Sequence, residues 1–504
     1  MSNEYAVPGV YVSETGGRSL AVVSGETAVP VLVGRYYDKT GALCALTGCE
    51  RVESWADFSR RYMTGPFAVY VAGKPQESRV SPEQLSAESV RLYFENGGGP
   101  CYVLSLPKPS NKLMSKSKKS KSSKEVVVGD EWSAALAALP ERVRAFPEIS
   151  LLVWCEVDDH ARDQEVYSAL ENLLSSGADN GGYFLLLDGW HDGGAIQVPQ
   201  TSVANQTAAY YPGLDVESVS VPSISLTALD KAYWGQQALS FEAFIQVCKY
   251  KWLDESKPAR EALIKQLEKI FSKPPLASMS VQEREPDGAS LLQELEKLLK
   301  DGLDPIVVPP VRASVLMAGV YARVDRERGV WKAPANVDLA GVVGLSELRT
   351  GTAVYMTDVL NESLVGAKVN ALRPFRGRGT MVWGARTMVD PQQTDWRYVS
   401  VRRLCNAVER DLRDMLRSVV FEPNNAVTWE RIRGAADHYL HHLWQRGALQ
   451  GETAAQGYFV AIGLGETMQQ EDLDQGRLLL KIGVAAVRPA EFIVLELTQD
   501  VKSG

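Results

Sequence analysis

Two nearly unbroken apolar runs, residues 149–155 (Ile-Ser-Leu-Leu-Val-Trp-Cys) and 182–188 (Gly-Tyr-Phe-Leu-Leu-Leu-Asp), flank a helical pattern at 164–174. A strand with one wet face alternates apolar and polar residues, whereas a run that is apolar throughout is covered on both faces. The order strand, helix, strand within 132–213 therefore predicts an α/β layer on a partly parallel sheet.

The flanking segments extend this pattern. Residues 28–34 read as a strand, with Pro30 where a missing N–H costs little. Residues 81–94 read as a helix with Ser81 as N-cap, Pro82 in the first turn, and Leu85, Val90 and Phe94 on one side. It stops at three consecutive glycines, and 100–106 resumes as a strand. Between 229 and 304 Leu239, Phe244, Leu263, Leu267, Ile270, Leu291, Leu295 and Leu298 recur at helical spacing, predicting an insertion of about three helices. From 308 to 389 strands alternate with loops.

Residues 400–420 form a strongly amphipathic helix. Val401, Leu404, Val408, Leu412 and Met415 make its stripe; Arg402, Arg403, Glu409, Arg410, Arg413, Asp414 and Arg417 make its wet side. A second helix, 428–446, ends at Gly447, a left-handed cap. Residues 477–487 and 491–497 read as two last strands joined at Arg488-Pro489.

At 504 residues the chain is too long for one core and predicts about two to four domains. A net charge of −8 argues against general nucleic-acid binding. No apolar run reaches the length of a membrane span, and residues 1–17 lack the basic start and apolar centre of a secretory signal. The six cysteines lie apart with no C-x-x-C pair and read as free thiols, although Cys44 and Cys49 are close enough in sequence to pair in a hairpin. Residues 108–124 hold seven lysines and six serines without an acid, the composition of a solvated loop or of a contact with an acidic surface.

Catalytic signatures are sparse. Gly73-Lys74-Pro75 lacks the glycine spacing and the following Ser or Thr of a phosphate loop. Gly377-Arg-Gly379 and Gly463-Leu-Gly465 read as tight turns. His438, His441 and His442 share a helix at metal-compatible spacing, but no acidic ligand or HExxH order accompanies them. His191-Asp192, in a loop after a strand, has no G-x-S-x-G partner. No cofactor is expected.

The last third carries long motifs instead. Residues 320–336 read Val-Tyr-Ala-Arg-Val-Asp-Arg-Glu-Arg-Gly-Val-Trp-Lys-Ala-Pro-Ala-Asn, and 373–387 read Arg-Pro-Phe-Arg-Gly-Arg-Gly-Thr-Met-Val-Trp-Gly-Ala-Arg-Thr. Trp-Arg-Tyr-Val-Ser-Val-Arg-Arg-Leu at 396–404 and Val-Arg-Pro-Ala-Glu-Phe-Ile-Val at 487–494 follow. In this order, with 90–99 and 208–213, they resemble the contractile tail sheath family of phage tails, R-type pyocins and extracellular contractile injection systems.

The resemblance implies a mixed α/β (α+β) subunit of several domains, with helices packed on a mixed sheet, inserted outer domains and extended terminal arms. It implies the following layout: an N-terminal arm, 1–27, exchanged with a neighbour; the first part of an outer domain, 28–106; a flexible loop, 107–131; an α/β layer, 132–228; a helical insertion, 229–305; a continued sheath domain, 306–389; a tube-facing inner domain, 390–487; and an exchanged C-terminal strand, 488–504. Exchange is expected at Val10, Tyr11, Val12, Phe492, Ile493, Val494 and Leu495, and tube contact at Arg410, Arg413 and Arg417.

The partners so implied are copies of the chain in hexameric rings stacked helically, an inner tube protein, baseplate and terminal cap proteins, and other sheath paralogues. Nucleic acid and membrane insertion are not among them. The particle would assemble in the bacterial cytoplasm and be released. Two other readings stay open: a specialised paralogue or terminal ring near the baseplate, and an α/β hydrolase-like enzyme with a helical lid using His191 and Asp192.

Overall fold

The computed structural model describes residues 20–39, 42–44, 48–62, 64, 85–109, 131–174, 182–192, 194–217 and 309–491. The expected arm at 1–17, the lysine–serine stretch beyond Pro109, the helical insertion and the strand beyond Glu491 lie outside these residues. The chain divides into two compact units, Glu26–Leu404 with Arg488–Gly504, and Met1–Gly25 with Cys405–Val487.

In the first unit the elements run β1 (Pro30–Gly34), β2 (Glu50–Val52), α1 (Trp55–Arg61), α2 (Leu85–Glu95), β3 (Cys101–Ser105), α3 (Glu131–Arg144), β4 (Leu151–Trp154), α4 (His160–Glu171), β5 (Phe184–Asp188), β6 (Trp190–Asp192), β7 (Ala195–Gln197), β8 (Thr207–Tyr211) and β9 (Gly213–Val216). After the insertion come α5 (Ala313–Arg328), β10 (Val342–Ser346), α6 (Asp358–Gly366), β11 (Val369–Phe375) and β12 (Gly379–Trp383).

Among the described residues eight strands form one sheet in the order β12-β11-β8-β5-β4-β1-β3-β2. β1, β3, β4, β5, β8 and β11 are parallel, and the edge strands β2 and β12 are antiparallel. Segments 28–106, 132–228 and 306–389 thus all contribute strands to one layer. Both faces are covered: Leu32, Val153, Leu186 and Tyr210 enter one apolar cluster, and Val31, Leu152, Leu185 and Ala209 the other. That is the physical cause of the unbroken apolar runs.

The stretch after residue 308 departs from the expected strands and loops. It opens with the 16-residue helix α5, in which eleven residues from Ala313 to Val324 are buried. A helix buried on nearly every side carries no amphipathic stripe, so its period is hidden in sequence. Gly319 permits its close approach to α2, since a Cβ there would lie 2.4 Å from the Tyr93 carbonyl oxygen.

The helix α7 (Val399–Arg417) carries the chain into the second unit, where α8 (Ala426–Gln445), β13 (Tyr458–Ala461) and β14 (Lys481–Val484) follow. Asn425 caps α8 by accepting from the Thr428 N–H. Gly447, at φ 75°, ends it in the left-handed conformation expected. The N–H groups of Gly447 and Ala448 return to Trp444 and Leu443 at 2.9 and 3.0 Å.

A filled crevice and candidate assembly surfaces

In a doubly wound sheet, ligands lie beyond the carboxyl ends of the strands where strand order turns back. Here the chain passes from β1 to β3 on one side and then to β4 on the other, so the switch point lies between β1 and β4. At that point Arg35, after β1, meets Glu156 and Asp158, after β4, and a second polar cluster gathers beside it at the ends of β4 and β5. Arg312, 1% exposed and capping α5, reaches Asp163 at 2.5 Å, Asp188 at 3.4 Å, the Tyr167 hydroxyl at 3.1 Å and the Glu156 carbonyl at 2.6 Å. Ser314 holds Asp188 through its N–H and hydroxyl at 2.9 and 2.6 Å. Arg349 pairs with Asp163 and donates to the Asp158 carbonyl at 2.8 Å.

Electrostatics follow from burial. Burial opposes the Arg312 charge, but Asp163, Tyr167 and Asp188 hold it protonated well above the ordinary arginine range. Burial raises Asp188, against the pull of Arg312 and Ser314. Glu156 is fully buried; its carboxyl is pushed up to about 7 by burial, against Arg35 and Ser86. One of its oxygens has no hydrogen-bond partner, and the nearest guanidinium nitrogen of Arg35 lies 3.9 Å away.

The candidate catalytic and metal residues are dispersed. His191 and Asp192 are exposed on β6 opposite Ile196 and Ala195 of β7. Among the described residues no group of three or more His, Cys, Asp or Glu is placed to hold a metal. His438 and His442 lie exposed on α8, and His441 rests beside Trp444 and Gln445. Cys44 and Cys49 are both free thiols, as are Cys101, Cys155 and Cys405. Burial pushes Cys49 up to about 12, which leaves it a poor nucleophile at neutral pH.

On α7 the sequence reading needs one correction. Arg402 and Arg403 are buried, not on a wet side. Arg402 stacks 4.3 Å from the Trp396 ring centroid, and Arg403 pairs with Asp325 at 2.6 Å above the Tyr321 ring. The first turns of the helix are enclosed, and aromatic rings and one carboxylate compensate the guanidinium groups. Further along, Arg410 and Arg413 are half-buried and Arg417 is exposed. Arg413 meets Glu409 at 2.6 Å and Arg417 meets Asp414 at 2.9 Å.

The loop after α7 exposes Val420 and Phe421, the first turn of α8 exposes Val427, and Phe421 adopts φ 73°. Asn424 ties the loop by donating to the Arg477 carbonyl at 3.0 Å and accepting from the Trp429 indole at 2.7 Å. β13 and β14 form an antiparallel pair, with the Phe459 ring lying across Gly483. An isolated two-stranded ribbon is marginal in water and invites further strands.

The roots of both chain ends are held. In the first unit Thr27 donates to Asp325 at 2.5 Å and its carbonyl accepts from Arg403 at 3.0 Å. Glu491 accepts from Arg386 at 3.0 and 2.5 Å and from the Tyr398 hydroxyl at 3.4 Å. In the second unit the Gly25 N–H donates to Asp411 at 3.1 Å. Sequence reading missed these anchors because ion pairs distant in sequence leave no periodic signal. The strand-exchange candidates Val10, Tyr11, Val12, Phe492, Ile493, Val494 and Leu495 lie outside the described residues.

Polar side chains of the protein thus gather at the carboxyl edge of the sheet, and Gly25, Thr27 and Glu491 are each tied to the body of their own unit. Residues 391–500 match the phage tail sheath C-terminal domain. The chain is 32% identical to the helical sheath of the anti-feeding prophage in its contracted state, over 98% of this chain and 99% of that one, with a TM-score of 0.63. A chain of the six-fold symmetrised anti-feeding prophage baseplate is 31% identical over 98% of this chain and 99% of that one, with a TM-score of 0.61. The tail sheath protein of Vibrio phage KVP40 is 25% identical over 133 residues; that match takes in 26% of this chain and only 19% of the relative. The chain belongs to the contractile tail sheath family.

Proposed function

We propose that this chain is the structural subunit of a contractile sheath that surrounds an inner tube and drives it through a target envelope. The observation that carries this reading is the end-to-end likeness, at 32% identity, to a helical sheath in its contracted state. Six copies form each ring, rings stack helically, and baseplate and cap proteins close the ends. The likeness to a baseplate chain supports a second role in the same class, a ring placed beside the baseplate.

The extended lattice is metastable, and rotation passes from ring to ring as packed units repack. The segments 1–17 and 492–504 cross between copies and add strands to a neighbour's sheet. Each main-chain hydrogen bond adds roughly 0.5–1.5 kcal/mol, and repetition makes the lattice cohesive. The ribbon of β13 and β14 is a fitting acceptor. Arg410, Arg413 and Arg417 face the tube, where exposed ion pairs at about 0–1 kcal/mol each hold the extended state yet release it.

Two experiments test this reading. Residues 18–504 expressed alone are expected to fold with an unchanged melting temperature and to give no connected contracted sheath; electron microscopy showing intact contracted sheaths from the truncated chain would refute strand exchange. Replacing Arg410, Arg413 and Arg417 together by Glu is expected to abolish assembly around the tube. Normal extended particles from that variant would remove these residues from the tube contact.

A further inference from the structure

We infer that one segment of the first unit, residues 386–403, anchors the roots of both terminal extensions and is therefore the joint through which load passes between them. The inference rests on the strand-exchange reading above and adds the residues that position the exchanged segments.

The placement is specific. Arg386 and Tyr398 face each other in an antiparallel bridge, and the Val399 N–H donates to the Ala385 carbonyl at 3.0 Å. Both residues hold the Glu491 carboxylate, and Arg488 lies 3.5 Å from Asp395 of the same segment. The C-terminal root is thus fixed by Arg386, Tyr398 and Asp395. Four residues past Val399, in the first turns of α7, Arg403 fixes the N-terminal root.

The two anchors differ in kind. The Arg403–Asp325 pair is buried, its side chains 3% and 6% exposed, and it sits against the Tyr321 ring, whose hydroxyl lies 2.7 Å from that of Tyr210 in β8. Thr27 closes this cluster from the chain side, three residues before β1 begins. The Arg386–Glu491 pair is partly exposed, at 26% and 20%, and is weaker. A rigid N-terminal root and a more yielding C-terminal root let an exchanged strand turn about one end without the chain being pulled out of the sheet.

The test uses the full chain with Thr27→Val, Glu491→Gln, and the exchanged pair Arg386→Glu with Glu491→Arg. Thr27→Val removes only the hydroxyl bond and leaves the ion pair in place. Each single variant is expected to keep its melting temperature within a few degrees. Limited proteolysis should cut at the corresponding root about two- to five-fold faster. Sheaths built from either single variant should break on contraction more often than wild type, and the exchanged pair should restore both readouts for the C-terminal root. Proteolysis at wild-type rates, with sheaths that contract unbroken, would overturn the anchor while leaving the sheath reading standing. If the wild-type chain gave no sheath, the underlying reading would fail, and the proteolysis rates would still decide whether the roots are held.

Discussion

Replacing Arg312 by Ala is expected to lower stability by about 3–5 kcal/mol, as breaking a buried ion pair does. The side chain neutralises Asp163 and Asp188 where all three are nearly water-free. Removing it leaves Asp188 buried without its cation and Asp163 with Arg349 alone, which is itself 22% exposed. In a unit of this size the melting temperature should fall on the order of 10 °C. Arg312→Lys keeps the charge but lacks the planar fork that serves both carboxylates, the Tyr167 hydroxyl and the Glu156 carbonyl, and should fall between. Arg417→Ala, which removes an exposed pair on α7, should shift stability by no more than about 0.5 kcal/mol. A melting temperature for Arg312→Ala within 2 °C or so of wild type would show that the cluster does not hold the carboxyl edge of the sheet together.

Stability of the wild-type chain should fall as pH rises through neutrality, and Glu156→Gln should remove that slope. The Glu156 carboxyl titrates near 7 when folded, against 4.5 for a free glutamate. The folded state therefore keeps the proton that the unfolded chain has already released. The neutral form's contribution is complete below about 4.5 and is lost as pH climbs through 7, at up to about 1.4 kcal/mol per pH step and roughly 3 kcal/mol in all. The groups facing the carboxyl set this balance: Arg35 and its N–H from the segment after β1, Ser86 from α2, and Asp158 from the segment after β4. Burial and Asp158 raise it; Arg35 and Ser86 lower it. Ser86→Ala should accordingly move the loss to higher pH. Denaturant unfolding between pH 5 and 9 reads all three proteins. Parallel curves for wild type and Glu156→Gln would mean that the buried carboxylate is compensated in full.

The sheet was legible because β4 and β5 are covered on both faces and announce it as uninterrupted apolar runs. The helix α8 was legible because it has one wet face along its length, and α7 because its second half has one. The start of α7 was misread for the opposite reason. Arg402 and Arg403 lie at positions that period alone assigns to solvent, and only Trp396, Tyr321 and Asp325 reveal that they are enclosed. The same enclosure hid α5. The site was the least legible part, since Arg386 with Glu491 and Arg403 with Asp325 are separated by 105 and 78 residues. The family resemblance came from long motifs in order; two of them, 373–387 and 396–404, map onto the hairpin of β11 and β12 and the entry to α7.

Contraction of a sheath requires the chain to associate with itself. Negative-stain imaging of the purified full-length protein measures that directly. Stacked cogwheel rings or tubes of one diameter are the expected result. Uniform single particles at every concentration, even in the presence of the inner tube, would contradict it.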